Sequence, residues 1–171
     1  MGNIRSLLAV ALLLPVISIL ACNPGSPDGP VADEAAVRAQ IENRFDALVE
    51  AVKSLDTDRY FSFFDQARFS GLAGDGTTWH SFEEFASIMR PAFESVTAFE
   101  RLEFSRVKIT VLDSTTAILV NEFQDEIALQ GGDLMRDAGG GVQVWKLTDG
   151  EWLIASVASV ASELVDEGDN P

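Results

Sequence analysis

From Asp33 onward, apolar residues recur at three- and four-residue spacings: Val37, Ile41, Arg44/Phe45, Leu48, Val52 and Leu55. That is the period of an amphipathic helix with one buried face. Asp33 stands where a side chain caps the first turn, and Glu34 follows where the helix dipole favours an acid. Asp56-Thr57-Asp58 supplies a second capping signal and predicts a short aromatic helix over residues 59–66. Residues 67–73 and 77–80 read as short strands around the turn Gly74-Asp75-Gly76. Ser81-Phe82-Glu83-Glu84 has the spacing of a capping box. The helix it opens carries Phe82, Phe85, Ile88 and Met89 on one face. Pro91 lacks the N–H that a helix interior needs, which predicts a kink or restart and a second piece reaching about Phe99.

After residue 101 the period becomes two. Residues 102–112 form a strand whose alternation slips between Phe104 and Val107, which predicts a bulge at Ser105-Arg106. Thr116–Leu129 is a long strand between turns at Asp113-Ser114 and Gly131-Gly132. Residues 134–147 form the next strand. Gly139-Gly140-Gly141 lies inside it and points to a bulge, a bend or close backbone approach. Asp149-Gly150 between Leu147 and Trp152 is a two-residue hairpin signal, and residues 152–162 form the last strand. Helices followed by an antiparallel meander is an α+β pattern in one domain, residues 34–163, with a polar tail at 164–171.

The start of the chain follows other rules. Residues 1–21 carry one charge, Arg5, and residues 7–21 are almost wholly apolar. The run is shorter than the roughly 20 residues of a membrane-spanning helix and has the layout of a signal peptide. It ends at Cys22, the only cysteine. Ile19-Leu20-Ala21-Cys22 resembles the lipobox of bacterial lipoproteins. That resemblance implies cleavage before Cys22, acylation of its thiol and anchorage to a lipid bilayer at the cell envelope. Met1-Gly2-Asn3-Ile4-Arg5-Ser6 also fits a myristoylation pattern, but leaves the apolar run and Cys22 without a purpose. Residues 22–33, rich in Pro and Gly, read as a tether.

The domain resembles the nuclear transport factor 2-like superfamily, also called SnoaL-like. The resemblance rests on the element order, on LDTDRYFSFFD after the first helix and on the closing hairpin VWKLTDGEWLIASV. It implies a cone-shaped, curved antiparallel sheet packed on the N-terminal helices, with a pocket in the cone. It also implies a homodimer formed through the outer sheet face. The superfamily holds isomerases, cyclases, dehydratases, hydrolases and non-catalytic subunits, so the fold leaves the function open.

Alternation then assigns the pocket. In Thr116–Leu129, Asn121, Phe123 and Asp125 share the more apolar face with Ala117, Leu119, Ile127 and Leu129. A two-residue turn at Asp149-Gly150 opposes Leu147 to Trp152, Trp145 to Ile154, Gln143 to Ser156 and Gly141 to Ala158. That places Gln143, Trp145, Trp152 and Ser156 on the inner face. Tyr60, Phe64, Trp79 and His80 are available from the helical side. Asp125 is the candidate acid or base, because an apolar cone raises a carboxyl pKa. His80, the only histidine, is its candidate partner, and Tyr60 or Asn121 a candidate oxyanion donor. The alternative for Asp125 is an ion pair with Arg136, and for His80 a place at the helix cap. The two Trp residues have the alternative of filling core. Ile118, Val120, Val142 and Val144 fall on the outer face.

Composition removes several classes. Twelve Lys and Arg stand against 27 Asp and Glu, a formal charge of −15. Loss of Arg5 with the signal segment makes it −16 (11 − 27). Nucleic acid is not an expected partner of such a chain. One Cys and one His exclude an internal disulfide, multi-Cys metal sites and HExxH motifs. No glycine-rich phosphate loop or GxSxG motif occurs, so no cofactor or metal is expected. Three readings stand: an anchored protein binding a small apolar or amphipathic ligand, a small-molecule isomerase, cyclase or hydrolase using Asp125 with His80 or Tyr60, and a dimeric non-catalytic interaction subunit.

Overall fold

The computed structural model describes residues 33–163. The signal segment, Cys22, the tether and the tail at 164–171 lie outside the described residues. Three helices, α1 (Glu34–Lys53), α2 (Thr57–Phe61) and α3 (Phe82–Ser95), pack against one curved sheet. Its strands are β1 (Ser70–Leu72), β2 (Thr78–Trp79), β3 (Val96–Asp113), β4 (Thr116–Leu129), β5 (Leu134–Thr148) and β6 (Glu151–Glu163). The sheet order is β2-β1-β6-β5-β4-β3, and the sheet stays open between β2 and β3. The α+β class and the helices-then-meander order are as expected, with one addition. Strand β1 joins β6 in parallel, so the pairing is not wholly antiparallel.

Helix α1 buries Val37, Ile41, Phe45, Leu48 and Ala51, and Asp33 accepts a hydrogen bond from the Ala36 N–H. Ala51 takes the place expected for Val52, and the helix stops before Leu55. Helix α2 is shorter than residues 59–66. Beyond Phe61 the chain is drawn onto β6: Ile154 donates its N–H to Phe63, and Asp65 donates its N–H to Ile154. The buried Asp65 carboxylate holds this segment through Arg68 at 3.0 Å and Thr148 at 3.2 Å.

At α3 the cap forms as the spacing predicts, with Ser81 accepting from the Glu84 N–H at 3.2 Å. The Glu84 side chain reaches one residue further back, to the His80 N–H at 2.7 Å. The helix runs through Pro91 as one element and ends at Ser95, short of Phe99. Residues Val96, Ala98 and Phe99 pair instead with Leu129, Ala128 and Ile127 of β4. The ladder bonds gained there override the local helical pattern.

The Ser105-Arg106 bulge is present: the register jumps between Ser105 and Lys108, and Arg106 has φ 49°. Asp149 (φ 51°) and Gly150 (φ 87°) make the left-handed pair that a tight hairpin turn needs. The core is built where α1, α2 and α3 meet the concave face, on Phe61, Phe64, Phe69, Phe82, Phe85 and the inner residues of β4 to β6.

Candidate functional site

Register decides which side chains reach the concave face. On β4, Ala117, Leu119, Asn121 and Ile127 are buried while Val120, Glu122 and Gln124 are exposed, so the inner face is the one expected. The closing hairpin begins in the expected register, with Leu147 opposite Trp152 and Trp145 opposite Ile154. One extra residue then enters β6: Val144 faces Ser156 and Gln143 faces Val157. A bulge of one residue reverses every later side chain. Ser156 therefore leaves the inner face, and Gly141 pairs with Ser159 rather than Ala158.

The concave face encloses a cavity of about 280 Å³. Its walls include Asn121, Phe123, Asp125 and Gln143 from the sheet, Tyr60 and Phe64 from the α2 region, and Trp79 from β2. Most of the remainder is apolar, with Phe85 and Met89 from α3 and Phe99 and Leu102 from β3. A second apolar hollow of about 240 Å³ shares Tyr60, Met89 and Phe99 and leads towards Ile127 and Met135.

Seven of the sequence candidates thus meet at one place. Four do not. Trp145 and Trp152 are 0% and 4% exposed and belong to the core rather than to the cavity wall. Each indole N–H is engaged, Trp145 with Gln143 Oε1 at 3.0 Å and Trp152 with Gln40 Oε1 at 2.7 Å. Ser156 is displaced by the β6 bulge. His80 is exposed and absent from the cavity, its Nε2 3.3 Å from Thr78 Oγ1. The short strand β2 ends with Trp79 buried, and His80, the next residue, is exposed in the bend before α3. The Asp125–His80 pairing is therefore corrected: the two groups do not share the cavity.

Asp125 has another setting. It stands opposite Asp137 across β4 and β5, and Oδ1 is buried without a hydrogen-bond partner. Desolvation raises its pKa from 3.8 to about 6, and the charge of Asp137 adds to the rise. A hydrogen bond from the Asp137 backbone offsets part of it. Arg136, one residue away, faces the opposite side and pairs with Glu126 at 2.8 Å. Tyr60 packs edge-on against Phe61 and Phe64, and burial pushes its phenol well above its ordinary pKa. It stays a neutral hydroxyl at physiological pH.

Gln143 is oriented by its neighbour. An indole N–H only donates, so the oxygen of the Gln143 amide faces Trp145 and the NH2 is the end left for other partners. Among the described residues, Asp125 Oδ1 and Trp79 Nε1 are the buried side-chain polar atoms without a partner, and both residues line this cavity. No group of three His, Cys, Asp or Glu side chains among the described residues converges as a metal site.

Val157 and Ser159 are cavity residues that alternation alone misses, because only the ladder reveals the β6 bulge. Phe85 and Met89 were already marked by the apolar face of α3.

A mostly apolar cavity inside a cone of six strands and three helices defines the class, and comparison with known proteins gives the family. Residues 41–163 match the SnoaL-like domain, and the chain belongs to that family within the nuclear transport factor 2-like superfamily. Its fold is similar to that of a nuclear transport factor 2-like protein from Salmonella enterica serovar Typhimurium. The two are 14% identical with a TM-score of 0.66, over 80% of this chain and 99% of that one. A protein from Planctomyces limnophilus is 17% identical, with a TM-score of 0.65 over 76% and 99%. A type 2 hexachlorocyclohexane dehydrochlorinase is 12% identical, with a TM-score of 0.63 over 80% and 95%. At such identities the likeness is one of fold. No curated protein matches the sequence.

Proposed function

We propose that this chain is an envelope-anchored small-molecule-binding protein whose ligand occupies the cavity around Asp125. The observation that carries the reading is a mostly apolar cavity of about 280 Å³ with a buried, unpartnered carboxylate oxygen in its wall. An unpartnered buried acceptor costs free energy that a bound donor group recovers. Native mass spectrometry of the purified chain tests it. A co-purified small molecule that is lost in an Asp125→Leu variant supports the reading. An empty cavity that takes up no member of a broad apolar library refutes it.

A second reading, catalysis, is favoured by the setting of Asp125. A carboxyl whose pKa is raised to about 6 suits proton transfer near neutral pH. Tyr60, neutral and on the same cavity, is the candidate donor to a developing oxyanion. In this reading Asp125→Asn keeps ligand binding and loses turnover.

Anchorage rests on Ile19-Leu20-Ala21-Cys22 behind an apolar run. A Cys22→Ala variant leaves the membrane fraction if the thiol carries the lipid, and stays there if it does not. Dimerisation rests on the outer sheet face, where Val120 and Val160 are 47% and 62% exposed beside Ile118 and Val144, whereas Val142, expected on that face, borders the cavity.

A further inference from the structure

The two unpartnered polar atoms of the cavity wall are of opposite kind. Trp79 Nε1–H donates, and Asp125 Oδ1 accepts. They stand well apart: Trp79 is on β2 at one edge of the sheet and Asp125 on β4, with three strands between them. The indole is held by its packing. Gly71 of β1 pairs with Trp79 and leaves no room on the Cε3 edge, where a Cβ would lie 2.7 Å away. Cε3 belongs to the six-membered ring of the indole, and Nε1 to the five-membered ring. Phe85 meets the indole edge-on at 5.1 Å. Trp79 itself is 8% exposed, so water has little access to an N–H that has no protein acceptor.

A second donor lies at the same level. The row of paired residues Trp79, Gly71, Val157 and Gln143 crosses the sheet, and the amide of Gln143 is fixed oxygen-first against Trp145. The unpartnered atoms thus put a donor at the Trp79 end of the cavity and an acceptor at the Asp125 end, while Tyr60, Asn121 and Ser159 bring further polar groups to the wall between and beside them. Among the described residues no Lys or Arg lines the cavity, so an anionic ligand finds no counter-charge there and is repelled by Asp125.

We propose that the ligand is an elongated, uncharged, mostly apolar molecule with an accepting oxygen, such as a ketone, held by Trp79 Nε1–H. Its other end carries a hydroxyl or N–H group directed at Asp125. Trp79 is then the residue that sets ligand polarity and direction in the cavity. This rests on the cavity being a ligand site, as proposed above.

Isothermal titration calorimetry on the full-length chain with two matched probes tests it. 6-Acetyl-2-naphthol has an oxygen acceptor at one end and a hydroxyl at the other. 6-Ethyl-2-naphthol keeps the shape and the hydroxyl but lacks the acceptor. One hydrogen bond to a buried donor predicts about tenfold tighter binding of the acetyl probe. Trp79→Phe keeps a ring and removes the N–H, and should bring the ratio of the two probe affinities to about one. Equal binding of the two probes by the wild type overturns the proposal while the cavity remains a ligand site. So does an equal weakening of both probes by Trp79→Phe, which would make the indole a packing wall. Binding of neither probe overturns the proposed ligand class, and the native mass spectrometry described above then decides the cavity reading separately. The wild-type comparison needs no variant, so it decides the question even if Trp79→Phe does not fold.

Discussion

Asp125 titrates near pH 6 in the folded chain and near 3.8 when unperturbed. Between those values the folded chain holds a proton that the unfolded chain has released. Stability contributed by this group is therefore full below pH 3.8 and is lost as pH rises through about 6. Asp125→Asn removes the titration and the buried charge. The variant should melt near the wild type at pH 4 and about 2–4 °C above it at pH 8, by differential scanning calorimetry. No gain at high pH would mean that the carboxylate is well solvated. The alternation of β4 was enough to place Asp125 and Asn121 on the inner face. It could not show that Arg136 turns away, because that depends on which strand β4 pairs with and in what register.

The glycine triplet is an element-scale feature. The β4–β5 register runs unbroken through Gly139, Gly140 and Gly141, so the triplet marks close backbone approach rather than a bulge. A Cβ on Gly139 would lie 2.0 Å from the Val160 carbonyl oxygen, and one on Gly140 3.2 Å from that of Asn121. Gly139→Ala should cost about 3 kcal/mol, the upper end of the overpacking range, and Gly140→Ala about 1 kcal/mol or less. Urea midpoints compared at constant slope read this difference directly. Similar destabilisation at both positions would point to lost chain flexibility rather than to space. The hairpin after β5 shows where sequence reasoning about elements stops. Asp149-Gly150 set the turn and the first two pairs, yet the added residue in β6 carries no local signal and sends Ser156 outward. Helix α3 shows the same limit, since Val96–Phe99 follow the helical pattern until β4 offers them a ladder.

For the whole molecule, the outer sheet face bears on assembly. Val120 lies on β4 and Val160 on β6, exposed on the side away from the helices. An exposed apolar sheet face of this kind is where the proposed dimer would form. If it is the dimer interface, the double variant Val120→Lys/Val160→Lys sediments as a monomer and retains the probe affinities of the wild type. A wild-type chain that sediments as a monomer removes the dimer reading. The formal charge of −15 acts at this scale too, keeping exposed surfaces apart at low ionic strength.

Periodicity, capping residues and turn chemistry are local, and from them the sequence by itself determined the helices, the long strands, the α+β class and the inner face of β4. The same local logic marked Trp79, Phe64 and Tyr60 as available to the pocket from the helical side. Convergence is not local. Only the tertiary structure decided that Trp145 and Trp152 fill the core, that His80 faces solvent beside an inward Trp79, and that Val157 takes the place foreseen for Ser156. Each outcome depends on strand partners far apart in the chain, and a single inserted residue reverses a face without altering any nearby pattern. The unpartnered pair, Trp79 Nε1 and Asp125 Oδ1, is of this kind. A polar atom is left without a partner only by everything that packs around it.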